Sequence, residues 1–340
     1  MSQLDAATVV HRLGLGADHR VWLAELEAAG SPTPPPVLPA PGDVSWLFER
    51  LGIAHADAAD LIRAWPAPDR TPEIWWLLER CRRCIVADLG STSDFPAWPS
   101  LPGNLGALGR FFYAYVFLAA APDIRSWHQQ RNVPDDVSWA TLADLGRHLA
   151  VYRRLHGEGG LDAPSWLRSH FRGALYHLGR LQFCRSRIPY EPAMLERLAV
   201  PFRHGDPALD LHIPEQGPLT SAACDRSLQW APGFFQQHFP EEHYWVVVCT
   251  SWLLDDQLAS YLEPDSNILQ FQRRFSLLPK SVDGDADVLM FVFRRAVPVL
   301  AELPQRTSLQ RAVVGHLQAG HHWKVRTGWI DLGLRRLPDG

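Results

Sequence analysis

The chain has 340 residues, a length that suggests about two domains. Hydrophobic residues make up 46% of it, enough for a substantial core, which excludes wholesale disorder. A formal charge of −4 argues against a basic face for nucleic acid. Only Lys280 and Lys324 are lysines. That bias fits codon usage in a GC-rich genome, although the planar fork of Arg also suits carboxylates and phosphates.

Residues 1–43 comprise a short helix or two and a Pro-rich connector, whose prolines favour an extended path. Residues 44–170 are expected to form a helical domain. Ile74–Leu89 carries the pair Cys81 and Cys84. Five cysteines do not make a disulfide framework, and no second pair stands at zinc spacing, so these are expected to be buried thiols and no metal is assigned. Phe111–Ala121, before Pro122, reads as a buried helix. It is about half the length needed to span a bilayer, and the N-terminus lacks a basic segment followed by an apolar run. These features predict a soluble cytoplasmic protein with no membrane partner. Ser138 is expected to cap a helix with Leu142, Leu145, Leu149, Tyr152 and Leu155 on one face, ending near Gly157.

Residues 171–340 show a different pattern. Ala174–Phe183, Leu209–Ile213, Tyr244–Cys249, Asp287–Phe293 and His322–Ile330 are predicted strands. Leu219–Phe239, Asp255–Tyr261, Ile268–Phe275 and Ser308–Gln318 are predicted helical pieces, with Thr220 as an N-cap and Pro232 as a kink or break. Strands alternating with helices behind a helical domain predict an α/β or α+β arrangement.

The chain has no G-x-S-x-G elbow, P-loop lysine motif or H-E-x-x-H. Gly14–Leu15–Gly16 and the glycines of 103–109 do not follow clear strands. The pair His321–His322 is expected to decorate a strand. The stretch LDLHIPEQGPLTSAACDRSL, residues 209–228, is more informative. It predicts a strand, a turn containing Gly217, and a helix start. Such a turn exposes unpaired backbone N–H groups that suit a pyrophosphate, or it is an ordinary strand–helix connection.

Together with LGRLQF (178–183), CTSWLLDDQL (249–258), NILQFQRRF (267–275) and LPQRTSLQRAV (303–313), this order resembles the GNAT superfamily of acyl-coenzyme A-dependent N-acyltransferases. More closely, it is similar to two-domain actinobacterial members that pair a helical N-terminal domain with a GNAT-like C-terminal domain. The resemblance implies an α+β protein with a mixed β-sheet flanked by helices. It implies transfer of an acyl group from a thioester, with acyl-CoA or acetyl-CoA as cosubstrate, to an amine of a small molecule or peptide. A non-catalytic GNAT-like binding protein and an enzyme using an acyl carrier protein are the competing readings. A basic patch at Arg273 and Arg274 would favour the carrier protein.

By position, the resemblance places Ile213, Gln216, Gly217, Leu219 and Thr220 at the pyrophosphate turn and Asn267 beside the pantetheine arm. Phe271 stands where many relatives have a tyrosine that protonates the leaving thiolate, and the turn lacks the family's second glycine. His212 is the first candidate base, because imidazole accepts a proton near neutral pH. Glu215 is the second. Ser251 is either a proton donor to the thiolate or a helix cap, and Cys249 either an acyl-enzyme nucleophile or a core thiol. Trp252 either lines a pocket or packs in the core. Arg180 and Gln182 are expected on one strand facing the helical domain, with Arg180 either gripping an acidic acceptor or phosphate or forming an ion pair. Thr307 or Ser308 is expected to start a helix beside Arg306. The helical domain is expected to shape the acceptor pocket.

Overall fold

The computed structural model describes residues 4–30, 38–294 and 299–334. The chain divides into two compact units, Met1–Tyr176 and His177–Gly340. Part of the proline-rich connector, residues 31–37, lies outside the described residues.

The first unit is helical. Its helices are α1 (Ala6–Leu13), α2 (Arg20–Ala29), α3 (Ser45–Arg50), α4 (His55–Arg63), α5 (Pro72–Ala87), α6 (Gly106–Arg110), α7 (Phe112–Gln130), α8 (Asp135–Leu142), α9 (Asp144–His156) and α10 (Pro164–Phe171). Helix α5 opens with Pro72, whose missing N–H would be unpaired there in any case. Its residues Ile74, Leu77, Leu78, Cys81 and Ile85 repeat at helical spacing and are buried. Burial pushes the thiol of Cys84 up to about 12 and raises Cys81 well above its ordinary value, so both pack as inert core groups.

Residues 112–121 of α7 are all buried, which marks a helix enclosed by its neighbours. The segment Gly103–Gln130 is long and apolar enough to cross a membrane by length and composition, and here its residues Phe111–Ala121 lie in this unit's core. The expected stop at Pro122 is corrected. The helix continues to Gln130 because Pro122 lies on the exposed side, where a lost backbone bond is least harmful. The expected helix starting at Ser138 is also corrected. Ser138 sits inside α8, buried, with its Oγ 2.6 Å from His128 Nδ1. A break at Ala143 separates α8 from α9, which ends at left-handed Gly157 (φ 73°).

The second unit holds most of a six-stranded mixed sheet, β1 (Leu175–Leu178), β2 (Leu181–Arg187), β3 (Pro207–His212), β4 (Val246–Ser251), β5 (Ser276–Asp283) and β6 (Lys324–Asp331). The strand order is β1-β2-β3-β4-β6-β5. Its helices are α11 (Pro192–Leu198), α12 (Ser221–His238), α13 (Asn267–Gln272), α14 (Asp285–Phe293) and α15 (Ser308–Gln318).

The single strand expected over Ala174–Phe183 is two strands joined at Gly179–Arg180. Gly179 takes φ +74°, which suits the first position of a two-residue hairpin turn. Helix α12 runs through Pro232 without ending, and Thr220 occupies the N-cap position without a side-chain capping bond. The strand expected over Asp287–Phe293 is instead α14. Gly284 precedes it, Asp285 and Asp287 stand in its first turn, and carboxylates there complement the helix dipole. Only Val288 of α14 is fully buried, whereas a strand covered on both faces would bury nearly every residue. The neighbouring strand is β5, mostly exposed and interrupted by Pro279, as an edge strand tolerates. His321 and His322 precede β6, and His322 Nδ1 lies 2.7 Å from Asp285 Oδ2.

Candidate functional site

The site begins where β3 and β4 part. These parallel strands register at Leu209–Val247 and Asp210–Val248. Beyond those pairs β3 stays with β2 as far as His212–Gln182, and β4 stays with β6 as far as Ser251–Arg326. Each strand therefore follows its antiparallel neighbour, and a wedge opens between their carboxyl ends. Ligands in open sheets gather at such ends. The sequence builds β4 from Val246, Val247, Val248 and Cys249, whose β-branched and small side chains are all buried.

His212 closes β3 at the mouth of this wedge. Its Nε2 lies 3.4 Å from Asp210 Oδ2. The two residues are separated by one position, so they share a face of the strand. The backbone then turns through Ile213–Thr220 and enters α12. Gly217 takes φ +69°, a conformation that favours glycine, and a Cβ placed there would meet no atom within 4 Å. Among the described residues, the backbone N–H groups of Gln216, Gly217, Leu219 and Thr220 donate no intramolecular hydrogen bond. A run of free N–H groups at the positive end of an 18-residue helix is suited to an anion. The turn uses one glycine in a left-handed conformation and does not require a second.

The other face of the turn is occupied. Arg180, at the tip of the β1–β2 hairpin, donates from Nη1 to Pro214 O (3.0 Å), from Nε to Pro218 O (3.1 Å) and from Nη2 to Gly217 O (3.1 Å). Partial burial lowers its pKa, although a guanidinium remains charged. Ser227 of α12 holds the same tip: its Oγ accepts from the Arg180 and Leu181 amides at 2.8 and 3.3 Å and donates to Ala223 O at 3.1 Å. Arg180 thus sits in a hairpin turn, and its guanidinium binds the loop's own carbonyls. Gln182, expected beside it on one strand, is buried within β2 opposite His212.

The remaining candidates separate into surface and core. Glu215 is exposed and forms an ion pair with Arg294, which follows α14 in a left-handed conformation (φ 57°). Asn267 is exposed in the first turn of α13, after the Ser266 cap. Leu219 is buried beneath the turn. Phe271 is fully buried with its ring against Phe275, so it presents no surface to a ligand. Trp252 packs in a core cluster with Leu258, Leu262, Val313 and Trp323. Ser251 accepts from the Leu253 amide at 3.1 Å and caps a short 3₁₀ turn, Trp252–Leu254. Cys249 is buried, and burial followed by the charge of Asp210 raises its pKa far above neutrality, which removes the thiolate a nucleophile needs.

Both arginines of the suggested docking patch have partners within the fold. Arg273 donates to Pro264 O at 2.7 Å. Arg274 bonds Asp225 at 2.8 Å and the Ser221 hydroxyl at 2.5 Å, joining α13 to the first turns of α12. Thr307 starts α15 with a capping box: Gln310 N donates to Thr307 Oγ1 at 3.1 Å, and Gln310 Oε1 accepts from the Thr307 and Arg306 amides. Asp210 and Arg294 were not among the candidates read from the sequence. The i, i+2 spacing of Asp210 and His212 was a readable signal for the first, whereas the Arg294–Glu215 contact joins positions far apart in the chain.

The N-acyltransferase N-terminal domain model matches residues 42–173, and the GNAT-like C-terminal domain model matches residues 175–330. No curated protein matches the chain. The solved structures are more informative. An acyltransferase in complex with decanoyl-CoA and teicoplanin is 43% identical, with a TM-score of 0.89 over 97% of this chain and 100% of that one. An acyltransferase in complex with CoA and 10C-teicoplanin is 42% identical, with a TM-score of 0.89 and the same coverage. A mutant acyltransferase in complex with octanoyl-CoA is 42% identical, with a TM-score of 0.88 over 96% of this chain and 99% of that one.

Proposed function

Because this chain belongs to the two-domain GNAT-type N-acyltransferases, and is an acyl-CoA-dependent enzyme, we propose that it transfers a medium-chain acyl group to an amine of a teicoplanin-like glycopeptide. The observation that carries this reading is the identity of 42–43%, spread over nearly the whole chain, to acyltransferases solved with decanoyl-CoA and with teicoplanin.

The chemistry follows from the site. The free amides of Gln216, Gly217, Leu219 and Thr220 hold the pyrophosphate of the coenzyme, and the wedge between β3 and β4 receives the pantetheine arm and thioester. Asn267, on the exposed start of α13, meets that arm. The acceptor nitrogen attacks the thioester carbonyl, and backbone N–H groups at the wedge stabilise the developing oxyanion. His212 takes the amine proton as the C–N bond forms. The tetrahedral intermediate collapses, the C–S bond breaks, and the proton passes from His212 to the thiolate. The products are an amide and the free CoA thiol. Phe271 has no proton to give and is buried, so the histidine serves both transfers. Glu215, engaged by Arg294, shapes the turn. Trp252 and Gln182 support the walls from within the core.

The experiment is direct. The protein is incubated with octanoyl- or decanoyl-CoA and deacylated teicoplanin, while thiol release and product mass are followed. A product heavier by one acyl group is expected. Acyl-CoA binding without transfer to this acceptor would leave the enzyme class standing and reject the glycopeptide.

A further inference from the structure

Arg180 makes three hydrogen bonds to one five-residue turn, at Pro214, Gly217 and Pro218. Two prolines give this segment few N–H donors of its own, so its carbonyls need partners from elsewhere. A guanidinium can satisfy three of them at once, because its donors are fixed in one plane. A planar peptide unit sets its N–H opposite its C=O. Holding Pro218 O therefore aims the Leu219 N–H away from Arg180, and holding Pro214 O does the same for the Glu215 N–H. The Leu219 amide is one of those without an internal acceptor. The hairpin tip that carries Arg180 is itself bound to α12 through Ser227, so the clasp is anchored at both ends.

We infer that Arg180 is a positioning residue, which preorganises the Pro214–Thr220 turn so that its amides face the coenzyme pyrophosphate before acyl-CoA arrives. This rests on the acyl-CoA site described above and adds the residue that shapes it. A loop already ordered in its bound form binds more tightly, because the ordering cost is absent from the binding step. Without the clasp, a turn populated in its binding form for only a tenth of the time would weaken apparent affinity about tenfold.

The test compares the wild-type protein with Arg180→Ala and Arg180→Lys. CoA affinity is measured by calorimetry, the thermal midpoint without ligand by calorimetric scanning, and kcat and KM with decanoyl-CoA. For Arg180→Ala, Kd and KM should rise about tenfold, with kcat at saturation within about twofold. The ligand-free midpoint should stay within a few degrees of wild type. Lysine offers one compact charge where arginine offers a fork, so Arg180→Lys should fall between the two. Wild-type Kd in both variants overturns the proposal, as does a loss of stability and active fraction with KM unchanged. If Arg180→Ala fails to fold, Arg180→Lys decides by the same readouts. If the wild-type protein binds no CoA, the coenzyme site itself is wrong and the proposal falls with it. If the wild type binds and the variants bind equally well, only the clasp is rejected.

Discussion

At the scale of single residues, the proposed chemistry rests mostly on two positions. Gly217 holds φ +69° with open space before it, so an added Cβ meets strain without a clash. A β-branched residue there is strained by about 1–3 kcal/mol and extends into the approach to the amides. Gly217→Val should therefore lower CoA affinity about tenfold or more, read by calorimetry, with the ligand-free thermal midpoint lowered by only a few degrees. His212 is different, because the task proposed for it is proton transfer. His212→Ala should lower kcat by about 10²–10⁴ and leave KM for acyl-CoA nearly unchanged. A matched loss in both constants together with a lower thermal midpoint would return His212 to a structural role. His212 and Gly217 were both legible in the sequence, since a strand-ending histidine and a glycine turn before a helix are local patterns. Arg180 was legible as a residue but not in its role. Its partners lie more than thirty positions away, at Pro214, Gly217 and Pro218.

At the scale of elements, the hairpin tip and the first turns of α12 act together. Ser227 Oγ accepts the backbone N–H groups of Arg180 and Leu181, the last residue of the hairpin turn and the first of β2. Ser227→Ala would remove this shared acceptor and should destabilise the protein by about 1–3 kcal/mol, read from the urea unfolding midpoint. Because it also loosens the tip bearing Arg180, the same variant should raise KM for acyl-CoA. The assignment of elements shows where local pattern is sufficient. Ser308–Gln318 was read with its true limits because its cap and its apolar periodicity agree. The run Asp287–Phe293 reads as a strand although it is helical, because six apolar residues after the aspartate carry no clear period. Its helix start lies two residues earlier, at Asp285. Strand β5 is hidden in the sequence for the opposite reason: an exposed edge strand containing Pro279 and Lys280 has little hydrophobic signature.

At the scale of the whole molecule, acid stability is set by groups buried in the helical unit. Burial pushes the imidazole of His128 down to about 3, so it remains neutral when folded. An unfolded histidine takes up a proton near pH 6.5, hence the unfolded state binds more protons below that value. Stability should fall as pH drops from about 6.5 toward 3, by up to about 1.4 kcal/mol per pH unit from this residue. Asp144 acts in the same direction at lower pH. Burial alone would raise its pKa, but His170, His148 and Arg147 outweigh burial and hold it below the ordinary range. Its contribution is complete above about pH 4 and is lost below it. Urea unfolding midpoints between pH 7 and 4 check this. His128→Gln should flatten the upper part of that profile, and an unchanged slope would remove His128 as its source.

Local and periodic information settled the helical first half, the buried character of β4, the glycine turn before α12, and the family resemblance that implied acyl-CoA chemistry. These are properties of neighbouring residues, and neighbours are adjacent before and after folding. Tertiary structure alone decided that β3 and β4 separate after two registered pairs, because strand pairing depends on which partner each edge finds. It also decided that Phe271 and Trp252 are core, and that Arg180 grips the carbonyls of the turn. Burial and hydrogen-bond partnership are relations between distant segments, and they come into being only when the chain closes on itself.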